Sequence, residues 1–268
     1  MAEPLKAVFW DVDGTLAETE MAGHRLAFNH AFAEAGLPWQ WDPPTYLRLL
    51  RVTGGRERLA VFLAEVEGGV PESSRLDQLQ DRKQMHYREL VRGGALVLRA
   101  GVARLMAEIA EAGISQAIVT TSGRSAVAAL IQASEVDLQR HLSFWVCGED
   151  VARKKPDPEA YRLAVARAGV EPEQVLVVED SAQGLRAAAA AGLGTLVTLS
   201  QVSASEPAAA FAAALAVLDG LGEESRPACV RRGPACQGGQ VTLSYLQRLL
   251  MEPATMATTT AAPANPDG

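Results

Sequence analysis

Five short apolar runs, at residues 7–10, 116–120, 144–147, 175–178 and 195–199, each break off into polar or glycine-containing sequence. Between them lie GVARLMAEIAEAG, RSAVAALIQAS, DPEAYRLAVARAG and SAQGLRAAAAAG, where apolar residues recur at roughly helical spacing and glycine closes three of the four. Strand–helix alternation of this kind predicts an α/β fold, a Rossmann-like parallel sheet flanked by helices. The first interval departs from it. From residue 16 to 94 no convincing strand occurs, and HRLAFNHAFAEAG, RERLAVFLAEVEGG and RLDQLQDRKQMHYRELV read as amphipathic helices. The expected division is a core of residues 1–16 and 95–251 and an all-helical cap inserted at 17–94, with hinges at 16–21 and 92–98. After residue 199 the pattern fades. Residues 207–218 are alanine-rich, GEESRPACVRRGPACQGG reads as loop, and VTLSYLQRLL as a closing helix starting near Thr242. Residues 252–268 are low in complexity and read as a disordered tail.

Composition narrows the partners. The 268 residues are 48% hydrophobic and 21% charged, the balance of an ordinary globular protein, and carry a net charge of −7. Nucleic acid and anionic membrane both need a basic surface, so neither is an expected partner. Three cysteines, Cys147, Cys229 and Cys236, lack the pairing or spacing of a disulfide framework or zinc site. The N-terminus has no secretory pattern, and the most apolar stretch is too short for a membrane span, so a cytoplasmic monomer is expected.

The run AVFWDVDGTLAETE ends its apolar part at Asp11 and Asp13. Asp-Gly after a strand is a hairpin signal. The alternative is a pair of carboxylates gathered at a strand end, where Gly14 permits a sharp turn. Open parallel sheets bind ligands beyond the carboxyl ends of their strands, so the other strand ends should face the same crevice. IVTTSGRS places Thr120, Thr121 and Ser122 at a helix start, either as a phosphate cradle or as simple caps. Lys155 precedes Pro156 in an extended, stiffened loop, and Asp157 reads as a helix cap. VLVVEDSAQG sets Glu179 and Asp180 after a fully apolar run, where a metal site accounts for both acids.

Taken in order, these motifs resemble the haloacid dehalogenase-like phosphatase superfamily over residues 6–199. Asp11 and Asp13 match its paired aspartates, Thr120 its second-motif hydroxyl, Lys155 its third-motif lysine, and Glu179 with Asp180 its fourth motif. The place of the helical insertion matches the cap class that follows the first strand. The resemblance implies phosphoryl transfer through an aspartyl-phosphate, with Asp11 as nucleophile and Asp13 as acid and base. For that role the Asp13 carboxyl is expected to hold a proton near neutral pH in the closed site, beside another carboxylate and away from bulk water. It further implies Mg²⁺, held by Asp11, the Asp13 backbone carbonyl and Asp180, with Glu179 acting through water. Lys155 and Thr120 would offset and bind the phosphoryl oxygens.

RVTGGRERLA places Thr53, Gly54 and Gly55 at a helix start before Arg56 and Arg58, a receptor for a second phosphate. Glu18, His24 and Arg25, just past the catalytic loop, and Arg124 after Thr120 are further substrate-binding candidates. Any one arginine is equally a solvated charge, and Glu20 is read as one. With WQWD and KKPDPEAY, these stretches resemble the CbbY branch, associated with dephosphorylating xylulose-1,5-bisphosphate, an inhibitory by-product of Rubisco, to xylulose-5-phosphate. The resemblance thus implies a ketopentose bisphosphate as the phosphorylated-sugar partner. A β-phosphoglucomutase-type mutase, a phosphoglycolate phosphatase and a non-catalytic phosphosugar-binding module are the alternatives.

Overall fold

A computed structural model describes residues 4–251. After β1 (Ala7–Trp10), a π-helical segment, Glu20–Arg25, runs into α1 (Leu26–Glu34), followed by α2 (Pro43–Leu49), α3 (Gly55–Glu67), α4 (Ser73–Arg92) and α5 (Val102–Glu111). The chain then alternates through β2 (Ser115–Val119), α6 (Arg124–Ala133), β3 (Phe144–Val146), α7 (Glu159–Ala168), β4 (Val175–Glu179), α8 (Ala182–Ala190) and β5 (Gly194–Thr198). It closes with β6 (Ala216–Leu218), β7 (Val230–Arg232) and α9 (Leu243–Met251). The strands form one sheet in the order β3-β2-β1-β4-β5-β6-β7, parallel throughout except for the antiparallel β6–β7 pair.

Alternating side chains on the central strands feed two apolar layers. Val8, Trp10, Ile118, Leu176 and Val178 share a core cluster with residues of α5, α6 and α9. Ala7, Phe9, Ala117, Val119, Val175 and Val177 share another with α7 and α8. Both faces are covered, which is why these strands are continuously apolar rather than alternating. Apart from Ser115 and the buried Gln116 at the start of β2, the polar side chains of this region follow where β1, β2 and β4 end.

The helices from Glu20 to Arg92 have an aromatic core of their own. Trp41 lies between Phe28, 4.5 Å away by ring centroid, and Phe32 and Phe62, each 5.2 Å away. Such pairs contribute about 0.5–1.5 kcal/mol each beyond their burial. The WQWD stretch thus supplies packing for the insertion. Asp42 caps α2 by accepting from the Thr45 N–H at 2.8 Å, with Pro43 at the first helical position.

Expected strands fall within a residue of the observed ones, and β2 ends at Val119, leaving Thr120 just beyond it. The last two strands were not anticipated by the apolar pattern. β7 lies within the stretch read as loop, and is held by β6 and by Arg232, which donates to the Phe211, Ala212 and Ala214 carbonyls. The tail expected at 252–268 lies outside the described residues. Among the described residues no helix is long and apolar enough to cross a membrane.

Gly184 is fixed by its surroundings. A Cβ there would fall 1.8 Å from Glu179 Oε1, a carboxylate 1% exposed. Glycine-to-alanine in a helix ordinarily gains about 1 kcal/mol. Here Gly184→Ala is expected to lose about 1–3 kcal/mol through overpacking and to lower the thermal midpoint by several degrees. A midpoint at or above wild type in a calorimetric scan would remove this constraint.

Candidate active site

Parallel register brings the ends of β1, β2 and β4 together. The Asp11 N–H donates to Val178 O at 3.0 Å, and the Thr120 N–H to Val146 O at 2.9 Å. Asp11, Glu179 and Asp180 present carboxylate oxygens all within 4.8 Å of one another, and all three residues are buried. Gly14 adopts φ +86°, and a Cβ there would lie 2.2 Å from Asp180 Oδ2, so only glycine lets the turn lie against that acid.

Lys155 is the cation of this cluster. Its Nζ donates to Asp11 Oδ1 at 2.8 Å, Glu179 Oε1 at 2.6 Å and Val119 O at 2.9 Å, using all three ammonium protons. Burial opposes its charge, but Asp11 and Glu179 outweigh burial and hold Lys155 well above the usual lysine range. Tyr161 also donates to Glu179 Oε1, at 3.0 Å, while Glu179 Oε2 accepts from the Asp180 and Ser181 amides and the Ser181 hydroxyl.

One ammonium does not balance three carboxylates. Burial, with repulsion from Glu179 and Asp13, pushes Asp11 up to about 8 against the pull of Lys155. Burial followed by Glu179 and Asp11 raises Asp180 well above the carboxylate range. An all-oxygen set carrying excess negative charge fits a hard divalent cation, and Mg²⁺ takes such ligands in preference to nitrogen or sulfur.

Asp13 lies in a different setting. Its carboxylate accepts from Thr19 Oγ1, from Ser122 Oγ and from His24 Nε2, the last at 2.8 Å. Burial raises its pKa, but His24 and the two hydroxyls overcome it and hold Asp13 far below the usual range. The expectation that this carboxyl carries a proton near neutrality is corrected here: its donors stabilise the charged form. Behind it, Lys83 Nζ lies 2.8 Å from His24 Nδ1, and burial pushes Lys83 down to about 8. The His24 ring stacks on Tyr87 with centroids 4.3 Å apart.

A cavity of about 300 Å³ opens above Asp13, between core loops and the helical insertion. His24, Gly54, Gly55, Arg56, Arg58, Thr121 and Ser122 line it, as the sequence suggested. Arg58 is buried and reaches Tyr46 Oη at 2.9 Å, while Arg56 lies at the rim, exposed and paired with Asp77 at 2.7 Å. Four candidates face elsewhere. Glu18 pairs with Arg99 Nε at 3.3 Å and accepts from the Gln201 N–H. Arg25 donates to Trp41 O at 3.1 Å, supporting the aromatic core. Thr53 donates to the Gln183 side chain, and Arg124 is paired with Asp150 at 2.6 Å on the surface. Buried Thr120 accepts from the Ser122 N–H at 3.2 Å, shaping the loop that presents Ser122 to Asp13.

Residues without an assigned role also converge here. Glu20, read as a surface charge, lines the cavity, accepts from Tyr46 Oη at 2.5 Å and lies 3.9 Å from Arg58. Its spacing of four from His24 puts both on one helical face, which is the sequence signal for it. Lys83 falls in the row Leu76, Leu79, Lys83, Tyr87, Val91, a lysine in an otherwise apolar stripe. Lys154, also at the cavity, pairs with Glu57 of α3 at 2.6 Å and ties the insertion to the core loop.

Comparison with known proteins agrees with this geometry. The family model for haloacid dehalogenase-like hydrolases matches residues 5–192. The plasmid CbbY protein of Cupriavidus necator is 44% identical over 231 residues, covering 83% of this chain and 88% of that protein. Crystal structures of CbbY from Rhodobacter sphaeroides, with phosphate and, as a mutant, with xylulose-1,5-bisphosphate, superpose with a TM-score of 0.75 at 40% identity. Those alignments cover 81% of this chain and 94% of theirs. A putative β-phosphoglucomutase from Thermotoga maritima is 26% identical, with a TM-score of 0.61 over 80% of this chain and 94% of that one. The chain belongs to the haloacid dehalogenase-like hydrolases, in their CbbY branch, and is an enzyme of that hydrolase family.

Proposed function

We propose that the enzyme is a sugar-bisphosphate phosphatase that converts xylulose-1,5-bisphosphate to xylulose-5-phosphate. The observation that carries this is the pairing of one crevice with one cavity: Asp11 held by Lys155 below, and buried Arg58 above. The CbbY structure with xylulose-1,5-bisphosphate supports the choice of sugar. The insertion, residues 17–94, serves as the cap over the crevice, and Glu57–Lys154 is one of the contacts that seat it.

In this reading an Asp11 carboxylate oxygen attacks phosphorus, forming an acyl phosphate as the bond to the sugar oxygen breaks. Lys155 orients Asp11 and offsets charge on the phosphoryl group. The leaving oxygen takes a proton from Asp13. Asp13 rests as a carboxylate, so when a substrate dianion nearby favours the neutral acid its proton arrives from His24 Nε2 while Lys83 Nζ passes one to His24 Nδ1, leaving the imidazole neutral and the amine uncharged. Asp13 then takes a proton from the water that cleaves the acyl phosphate, releasing phosphate and restoring Asp11. Asp11, Asp180 and the Asp13 carbonyl would hold Mg²⁺, whose bound charge supplies Lewis-acid polarisation of the phosphoryl oxygens. Glu179, with both oxygens engaged by protein donors, fits a supporting place behind them.

Purified enzyme with Mg²⁺ and a panel of phosphorylated sugars should release phosphate fastest from the ketopentose bisphosphate. Isomerised hexose phosphate without free phosphate would instead establish a mutase, a preference for phosphoglycolate a glycolate-releasing enzyme, and a silent panel a binding module. Asp11→Asn is expected to reduce turnover by at least about 10³-fold while leaving the circular dichroism unchanged. Mg²⁺-dependent turnover surviving in sequence-verified protein would refute the nucleophile.

Arg58→Ala should raise KM for the bisphosphate about 10–100-fold, the loss of a charge-assisted bond of roughly 1.5–3 kcal/mol, and leave a small monophosphate within about twofold. Equal losses on both would place the second phosphate elsewhere.

The Lys83 contact gives a pH dependence. Protonated Lys83 only donates, so His24 Nδ1 accepts and the ring proton sits on Nε2, facing Asp13. Neutral Lys83 lets that proton move to Nδ1 and away from Asp13. With bound Mg²⁺ and Lys155 holding Asp11 as a carboxylate, activity at saturating Mg²⁺ should therefore fall as pH rises through about 8, and Lys83→Met should lose this alkaline limb along with part of its activity. A wild-type profile flat to pH 9.5 would exclude the relay.

A further inference from the structure

A second cavity, of about 940 Å³, shares no lining residue with the one above Asp13. Clefts of roughly 300–1,000 Å³ take metabolite-sized ligands. Its lining has two characters. Leu96, Leu98, Leu199 and Phe211 supply apolar surface together with Val97, which is left 73% exposed. Four arginines, Arg99, Arg226, Arg231 and Arg232, line it as well, in a chain whose net charge is −7.

The acids of this cavity do not neutralise those cations. Glu18 is paired with Arg99, Asp219 Oδ1 accepts from the Cys229 N–H at 2.7 Å, and Glu206 feels the charge of Arg186. Arg232 is occupied by three backbone carbonyls, and Arg231 reaches Asp219 Oδ2 only at 4.0 Å. Arg226 forms no ion pair among the described residues, and lies close enough to Arg99 for the two charges to oppose each other. Its neighbour Glu223 does not relieve this, because that carboxylate accepts from the Gly101 N–H at 2.9 Å. Guanidinium groups free to bind, beside an apolar wall, suit an oxyanion carried on an apolar body. Arg226 and Arg231 both lie beyond residue 192, outside the stretch matched by the family model.

The cavity also touches both crossings into the insertion, Glu18 on the way in and residues 95–100 on the way out. Arg99 holds the Gly14 carbonyl, in the turn that lies against Asp180. We propose that this cavity is a second ligand site, which takes an organic anion with an apolar body and a carboxylate or phosphate head, and that its occupancy alters substrate binding through the roots of the insertion. An occupant touches insertion and core at once, so its affinity depends on how the two are placed, and by linkage it shifts the affinity for substrate. The site is independent of which phosphorylated sugar the enzyme hydrolyses.

The probe is 1-anilinonaphthalene-8-sulfonate, an aromatic body with one fixed oxyanion and no phosphate, and N-phenyl-1-naphthylamine is its uncharged counterpart. In fluorescence titrations of the Mg²⁺-supplemented enzyme, one anionic probe should bind per chain. Combining Arg226→Gln with Arg231→Gln should weaken it about tenfold and change the uncharged probe by less than about twofold. Val97→Glu, which sets a carboxylate on the apolar wall, should weaken the anionic probe to a similar extent. Both arginines are exposed, so the double variant should keep the wild-type thermal midpoint and turn over p-nitrophenyl phosphate within about twofold of wild type. Saturating anionic probe should shift KM for p-nitrophenyl phosphate at least about fivefold in wild type and less than about twofold in the double variant. Naphthalene-2-carboxylate and naphthalene-2-phosphonate then compete for the site: displacement by either supports it and identifies the head group, and displacement by neither overturns it. Anionic binding that survives the double substitution, or falls equally with the uncharged probe, also overturns the site. A KM unmoved by the bound probe overturns the effector role.

Discussion

The arrangement depends on one buried ammonium. Lys155 lies between Asp11 and Glu179 at the ends of adjacent strands, and among the described residues neither acid forms an ion pair with another cation. Removing one partner of a buried pair typically costs about 3–5 kcal/mol, because the remaining charges stay desolvated. Neighbouring elements are shaped around this contact. Tyr161 of α7 donates to the same Glu179 oxygen that Lys155 holds, and Gly184 of α8 leaves space for the carboxylate. The cost of burying acids is met only in part, since one ammonium faces three carboxylates. That residual charge makes the site receptive to a divalent cation and then to a phosphate.

A second cation organises the turn above it. Arg99 donates to the Gly14, Thr198, Leu199 and Asp219 carbonyls and pairs with Glu18, so its fork joins the turn at Gly14 to the ends of β5 and β6. The chain enters and leaves the helical insertion side by side at this point. Ala17 forms an antiparallel bridge with Leu98, and the Arg99 N–H donates to Leu16 O at 2.8 Å. A lysine could not replace this planar set of five donors. Both crossings are therefore tied to the turn that carries Asp13, and any movement of the insertion is referred to a fixed base.

Much of this was legible because apolar strands throw polar residues into relief. Asp11, Asp13, Thr120, Glu179 and Asp180 each interrupt or follow an apolar run, and the sheet then gathers them without further information. The helical character of the insertion was equally readable from periodicity. What the pattern could not distinguish was direction. Glu18 and Glu20 are alike in sequence, yet Glu18 turns to Arg99 and Glu20 into the cavity, decided by partners 81 and 26 positions away respectively. Arg25 and Arg124 are arginines near a site, but their partners are a backbone carbonyl and a surface acid. β7 was hidden because its pairing with β6, rather than any apolar content, makes it a strand.

The state of Asp13 links the insertion to the chemistry. Two of its three donors, Thr19 and His24, come from the segment that leads into the helices, and the third, Ser122, from the core. With all three in place the carboxylate is strongly favoured, so the resting site is poised to receive a proton rather than to release one. In the proposed mechanism the substrate dianion reverses that preference, and the proton reaches Asp13 only while His24 and Lys83 are seated behind it. Lys83 lies on the buried face of α4. His24 lies on the segment before α1, so the proton path to Asp13 is assembled from two separate elements of the insertion that meet at the Lys83–His24 contact.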